Sequence, residues 1–383
     1  MPKRVLILGS TGSIGRSALE VAAALPDEVQ VVGLAARGRW NELAAQADRF
    51  GVAAVAVADE AHYDSLRRTC ANGTRVLAGA AGLVELVQTC AADFVLSAIV
   101  GAAGLPATLA AVERGLDVGL ANKESLVIAG ALLMPLAAQR GSRLLPIDSE
   151  HSAIFQALAA GRREDVRRIH LTASGGPFRQ WTAEQIDRAT LTDALNHPTW
   201  SMGPKITIDS ATMMNKALEV IEARWLFGLP PDQIDVLIHP ESIVHSMVEF
   251  QDGSIIAQLG TPDMKTPIQY ALTYPRRLSG IAPPLDWSQV RCLHFEPPDF
   301  ERFPALRLGY EAAEQGGSSG AVLNAANEAA VEGFREGRIA FGRIAALAGE
   351  VLHRHRALPR PTLEDLLACD AWARDEVARR IGN

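Results

Sequence analysis

The sequence predicts an α/β protein in three parts: a doubly wound parallel sheet first, an α+β domain in the middle, and a C-terminal helical bundle. Three observations predict it. Short β-branched runs alternate with helical stretches over residues 4–147. Gln251-Asp252-Gly253, a hairpin signal, joins two strand-like runs. Ala- and Glu-rich helical segments follow a proline-rich stretch.

In the first part, residues 5–8, 29–34, 52–57, 94–99, 117–120 and 143–147 read as strands. They are mostly apolar throughout, as strands covered on both faces must be. Helices at 17–25, 40–49, 105–114 and 123–138 fall between them. In the middle part, strands at 167–172, 235–238, 246–250 and 254–258 suggest a mostly antiparallel sheet, with helices at 152–159 and 211–227. Pro283, Pro284, Pro297, Pro298 and Pro304 give 276–304 the composition of a linker. Helices at 305–315, 319–336, 341–355 and 363–381 complete the chain, broken at Gly316-Gly317 and Pro359 to Pro361. The expected domains are 1–149 for a dinucleotide, 150–275 for catalysis and dimerisation, the linker, and 305–383.

Composition narrows the function. At 383 residues, 48% hydrophobic and 21% charged, the chain is globular and exceeds one core. The 37 basic and 44 acidic residues leave a net charge of −7, which speaks against a nucleic-acid or anionic-membrane partner. Any bound anion must be captured by local groups. Cys70, Cys90, Cys292 and Cys369 have no metal-type spacing and read as buried thiols in a reducing compartment. The apolar run at 5–8 is too short for a signal peptide, and Gly130 and Pro135 interrupt the longest one, at 126–138. A cytoplasmic protein is expected.

Gly9-Ser10-Thr11-Gly12-Ser13-Ile14-Gly15 lies between the first strand and the first helix, where backbone N–H groups can cradle a pyrophosphate. The bland alternative is a tight turn without a ligand. The second strand ends without the acid that would bond a ribose hydroxyl, and Arg37 and Arg39 flank Gly38 instead. NADP(H) is the dinucleotide those charges favour.

Asp148 and Glu150 follow an expected strand, and two-residue spacing in an extended chain would aim both to one side. With Glu219 they form an oxygen set suited to Mg²⁺ or Mn²⁺. The same acids could instead serve the N-terminus of the helix expected near Ser152. Ser174-Gly175-Gly176 closes a strand, and Ser210 reads as the N-cap of the helix carrying Asn215, Lys216 and Glu219. Singly these are a cap and a solvated ion pair; together they suit a phosphate. His197, Trp200, Ser201 and Met202 lie in a turn-rich stretch that is either a lid or a loop anchored by tryptophan.

The chain resembles the 1-deoxy-D-xylulose 5-phosphate reductoisomerase family in the stretches 9–15, 98–104, 120–126, 148–151, 173–178, 197–203, 209–219 and 259–267, in order along nearly its whole length. The resemblance implies a homodimer that uses NADPH and Mg²⁺ or Mn²⁺. Its substrate would be 1-deoxy-D-xylulose 5-phosphate, rearranged and reduced to 2-C-methyl-D-erythritol 4-phosphate. It implies a Rossmann-like first domain, with Asp148, Glu150 and Glu219 as metal ligands. Ser174, Ser210, Asn215 and Lys216 would hold the substrate phosphate. Lys123, Ser149, His151 and Glu219 would face the rest of the substrate, with Lys123, Glu150, His151, His197 and Trp200 nearest the chemistry. Gly9, Thr11, Gly12, Ser13, Ile14, Asn122, Glu124, Met202, Gly203 and Met264 would contact the cofactor, with Arg37, Gly38 and Arg39 at its 2′-phosphate. Many members carry a Gly-Lys-Asn type sequence where this chain has Arg37-Gly38-Arg39, so which arginine binds that phosphate stays open. A semialdehyde dehydrogenase is a poor rival, because it needs a nucleophilic cysteine and none lies between Cys90 and Cys292. A non-catalytic NADP-binding regulator would have no use for the three acids.

Overall fold

The computed structural model describes every residue except Asn72, Ser201 and Asn383. The chain forms two compact units: Met1–Ser125 with Leu133–Ser152 and Asp263–Pro283, and Leu126–Leu132 with Ala153–Pro262 and Pro284–Asn383.

The first unit alternates β1 (Lys3–Leu8), α1 (Ser13–Ala24), β2 (Val29–Ala36), α2 (Trp40–Phe50), β3 (Ala54–Val57), α3 (Tyr63–Thr69), β4 (Arg75–Ala78), α4 (Gly79–Thr89), β5 (Phe94–Ser97), α5 (Leu105–Glu113) and β6 (Asp117–Leu120). Next come α6 (Glu124–Arg140), β7 (Leu144–Pro146) and α7 (Ser149–Ala157). The seven strands form one parallel sheet in the order β4-β3-β2-β1-β5-β6-β7, the Rossmann-like arrangement expected. Val5, Leu6, Leu8, Phe94, Val95 and Leu96 are wholly buried, as central strands covered on both sides require. Strand order reverses between β1 and β5, so a ligand crevice is expected beyond their carboxyl ends. β4, α3 and α4 had no expected counterpart.

The second unit carries β8 (Val166–Ala173), α8 (Ala183–Asp187), α9 (Leu191–Ala194), α10 (Pro204–Ala211), α11 (Met214–Phe227), β9 (Ile234–Ile238), β10 (Val244–Phe250) and β11 (Ile255–Leu259). Its sheet runs β11-β10-β8-β9, with β8 and β9 parallel and the other pairs antiparallel. The helix expected at 211–227 starts at Met214, and the unexpected α10 precedes it, separated by Met213 in the left-handed region (φ 61°). α12 (Lys265–Thr273) packs against α1 in the first unit. The C-terminal helices α13 (Ala305–Gln315), α14 (Ser319–Arg335), α15 (Arg343–Arg354) and α16 (Leu363–Ile381) bury Val322, Leu323, Ile344, Leu347 and Val377 in the core of the second unit. Of the four free cysteines only Cys90 is buried; Cys292 is exposed, against the expectation that all four would be interior.

Candidate active site

The glycine loop follows from steric necessity. Gly9 has φ 88°, and a Cβ there would lie 2.5 Å from the Ala98 carbonyl oxygen. A Cβ on Gly15 would meet the Gly9 oxygen at 2.3 Å, so helix and loop can approach this closely only without side chains. Gly12 precedes α1 in extended backbone and offers no side-chain cap, which leaves the helix's first N–H groups for an anion. Thr11 is buried, Ile14 half-buried and Ser13 exposed. Asn122, buried just beyond β6, donates from Nδ2 to the Gly101 carbonyl at 3.0 Å and ties down the loop that follows β5; its neighbour Glu124 is buried as well. Met264 is half-buried before α12.

Beyond β2, Arg37 and Arg39 are both exposed, with Gly38 between them. They differ in their company. Arg39 stands 3.7 Å from Glu42, whose carboxylate Arg16 already grips at 2.6 and 2.8 Å. Among the described residues Arg37 forms no ion pair, which leaves its guanidinium available to a phosphate.

The acidic pair is built differently from the expectation. β7 ends at Pro146, so Asp148 and Glu150 do not share an extended strand. Asp148 accepts the first helical hydrogen bond of α7 from Ser152 N–H (2.8 Å), and Glu150 lies in that helix's first turn. The turn still brings a carboxylate oxygen of Asp148 within 4.8 Å of one of Glu150 and of a His151 ring nitrogen. Lys123 Nζ lies 2.5 Å from Asp148 Oδ2, with both side chains nearly buried, and Ser149 Oγ donates to Glu150 Oε2 at 2.6 Å. Lys123, Asp148, Ser149, Glu150 and fully buried His151 therefore form one cluster. The two carboxylates offer the hard oxygen donors that a divalent cation of the magnesium type takes, and the Lys123 ammonium holds one of them.

A second cluster lies in the other unit. Gly175 and Gly176 have φ 84° and 67°, and a Cβ on Gly176 would meet the Ser210 carbonyl oxygen at 2.5 Å. The serine-glycine turn and the end of α10 are thus pressed together. Ser210 is no N-cap: it sits in the last turn of α10, and Met213 stands before α11. On α11, Asn215 Nδ2 donates to Glu219 Oε1 at 2.6 Å, and Lys216 Nζ pairs with Glu219 Oε2. Lys216 and Glu219 are 3% and 1% exposed, so this is a buried pair and not the solvated one considered from the sequence. Glu222, three residues further on, is wholly buried too, and its i, i+3 spacing from Glu219 is the feature of the sequence that marks it.

The stretch after residue 195 engages this cluster. His197 Nδ1 accepts from Thr199 N–H (3.1 Å) and Trp200 N–H (2.9 Å), so the ring proton sits on Nε2, which donates to Ser174 Oγ at 3.2 Å. Burial lowers the His197 pKa and favours this neutral form. Ser174 Oγ also accepts from Gly176 N–H (3.2 Å), which leaves its own O–H to donate to an anion. Trp200 and Met202 are half-buried, Gly203 precedes α10, and Ser201 lies outside the described residues.

Family models match three stretches: 1-deoxy-D-xylulose 5-phosphate reductoisomerase over residues 5–130, its C-terminal domain over 144–227, and the DXP reductoisomerase C-terminal domain over 259–376. A curated protein of that name from Geotalea uraniireducens is 51% identical over 381 residues, 99% of each chain. One from Anaeromyxobacter dehalogenans is 52% identical over 380 residues, covering 99% of this chain and 97% of the relative. The chain belongs to the 1-deoxy-D-xylulose 5-phosphate reductoisomerase family. Among solved reductoisomerases, the Zymomonas mobilis enzyme in complex with NADPH is 45% identical with a TM-score of 0.94, covering 100% of this chain and 99% of the other. A reductoisomerase in complex with NADPH, fosmidomycin and magnesium is 42% identical, also with a TM-score of 0.94, covering 99% and 98%.

Proposed function

We propose that this reductoisomerase converts 1-deoxy-D-xylulose 5-phosphate into 2-C-methyl-D-erythritol 4-phosphate, using NADPH and Mg²⁺ or Mn²⁺. The observation that carries the reading is the Asp148–Glu150 pair: two carboxylate oxygens within 4.8 Å, beside Lys123, at the end of a dinucleotide-type sheet. Asp148, Glu150 and Glu219 form the ligand set, supported by their oxygen-only chemistry and by family membership. A divalent cation bound there supplies Lewis acidity to a carbonyl and its neighbouring hydroxyl.

The chain's own groups do the rest. The loop Gly9–Gly15 and the start of α1 hold the cofactor pyrophosphate, and Arg37 holds its 2′-phosphate more than Arg39 does. Ser174, Ser210, Asn215 and Lys216 bind the substrate phosphate, with the Ser174 hydroxyl and the Lys216 ammonium as donors. Lys123, held on Asp148, offers positive charge and a proton to substrate oxygens near Ser149 and His151. His197, Trp200 and Met202 close over the substrate and exclude water, and family membership supports Met202 and Met264 as the residues nearest the nicotinamide.

The protein acts as a cytoplasmic homodimer. Ile255 and Ile256, 52% and 38% exposed on the edge strand β11, support self-association; sedimentation as a monomer at micromolar concentration would reject it. No helix among the described residues is long and apolar enough to cross a membrane. The function is tested by NADPH consumption with 1-deoxy-D-xylulose 5-phosphate, with a chelator and after Mn²⁺ is restored. Chelator-sensitive, metal-restored turnover is expected. No turnover would reject the reading in favour of a non-catalytic NADP-binding regulator.

A further inference from the structure

We infer that Asp209 is a positioning residue that sets the substrate-phosphate site through Ser210, and that the C-terminal helices anchor it. The inference rests on the phosphate-binding role proposed for Ser174 and Ser210. The Asp209 side chain is 2% exposed, yet both of its oxygens are engaged. Lys205 Nζ, one turn earlier on α10, lies 2.8 Å from Oδ2, and Asn327 Nδ2 of α14 donates to Oδ1 at 2.8 Å. The next residue of α14, Glu328, places Oε1 4.0 Å from Lys205 Nζ, and its Oε2 accepts from Arg374 of α16 at 2.6 Å. Asp370 holds Arg374 from the same helix at 2.6 and 3.0 Å. Charges of alternating sign therefore run from α10 across α14 to α16.

An apolar contact would bind these helices together with less desolvation than a buried carboxylate requires. What the carboxylate adds is direction, because two hydrogen-bond axes fix both the height and the rotation of α10. The next residue in the chain is Ser210, whose carbonyl oxygen sits against Gly176 with no room for a methyl group. Lys205 stands two residues after Gly203, at the foot of the stretch whose His197 is bonded to Ser174. Asp209 thus registers Ser210 against the Ser174–Gly176 turn without touching substrate. Small displacements of such groups are costly to binding.

The test is steady-state kinetics on Asp209→Asn, Lys205→Met, the double variant and Asn327→Ala, with NADPH affinity and melting temperature measured alongside. Asp209→Asn should raise KM for 1-deoxy-D-xylulose 5-phosphate about tenfold, with kcat within about threefold of wild type and NADPH affinity unchanged. Lys205→Met should act similarly, and the double variant should be no worse than the poorer single one, as members of one network behave. Asn327→Ala removes one bond while leaving the ion pair and should raise KM about threefold, so the inference stays testable if the charge variants fail to fold. A lower melting temperature with KM unchanged in Asn327→Ala and in every variant that folds would overturn it and make the network merely structural. An inactive wild type would instead reject the proposed function. Unchanged KM in Ser210→Ala, with Asp209→Asn impaired, would reject the route through Ser210.

Discussion

Replacing Lys216 with methionine keeps most of the side-chain volume and removes its ammonium. Lys216 and Glu219 are 3% and 1% exposed, so water cannot compensate for the loss. Breaking a buried pair by removing one partner costs about 3–5 kcal/mol of folding stability. The Asn215 bond to Glu219 Oε1 (2.6 Å) remains and places the expected cost at the lower end, about 3 kcal/mol. Loss of the charge-assisted contact proposed between Lys216 and the substrate phosphate predicts a separate penalty in binding, about 1.5–3 kcal/mol, or roughly 10–150-fold in KM. The phosphate is remote from the reacting carbons, so kcat should fall by less than KM rises. The assay is initial-rate kinetics at saturating NADPH, paired with thermal melting and NADPH titration. A KM within about twofold of wild type would refute the phosphate role of Lys216, and an unchanged melting temperature would refute the burial argument.

Two further outcomes follow from local geometry. Arg37→Ala should weaken NADPH about tenfold while leaving NADH nearly unaffected, and Arg39→Ala should do less because Glu42 already engages that guanidinium; equal losses for NADPH and NADH would reject 2′-phosphate recognition. His245 is 8% exposed, and burial pushes its pKa from 6.5 down to about 4. The folded state therefore holds the neutral ring, and its contribution to stability is complete above pH 6.5 and shrinks as pH falls towards 4. The total is about 3 kcal/mol. His245→Asn should show a flatter decline in melting temperature across that window, and identical slopes would contradict the assignment.

Much of this was legible in the sequence because it is local. The glycine loop, the paired strands of the first sheet and the hairpin at Asp252 are each specified by a few neighbouring residues. β4 was missed because Val76 and Leu77 are too short an apolar run to show a period, and α12 because its partner α1 lies far away in the chain. The break between α10 and α11 carries no glycine or proline to announce it; Met213 takes up the left-handed conformation under tertiary constraint, so in sequence Ser210 looks like a cap that the structure does not form. The i, i+4 spacing of Lys205 and Asp209 was visible, but their burial against Asn327 was not. The two-residue spacing of Asp148 and Glu150 shows in the sequence that they are partners, but not that a helix turn, and not a strand, brings them together.

The proposed chemistry depends on a single divalent cation held jointly by Asp148, Glu150 and Glu219. Titration of Mn²⁺ by calorimetry or by paramagnetic resonance, in the presence of NADPH, tests it most directly on wild type, Asp148→Asn, Glu219→Gln and the double variant. One site per chain is predicted, with either single substitution abolishing it and the double variant no worse. Wild-type Mn²⁺ affinity in Glu219→Gln, with Asp148→Asn impaired, would contradict the shared site.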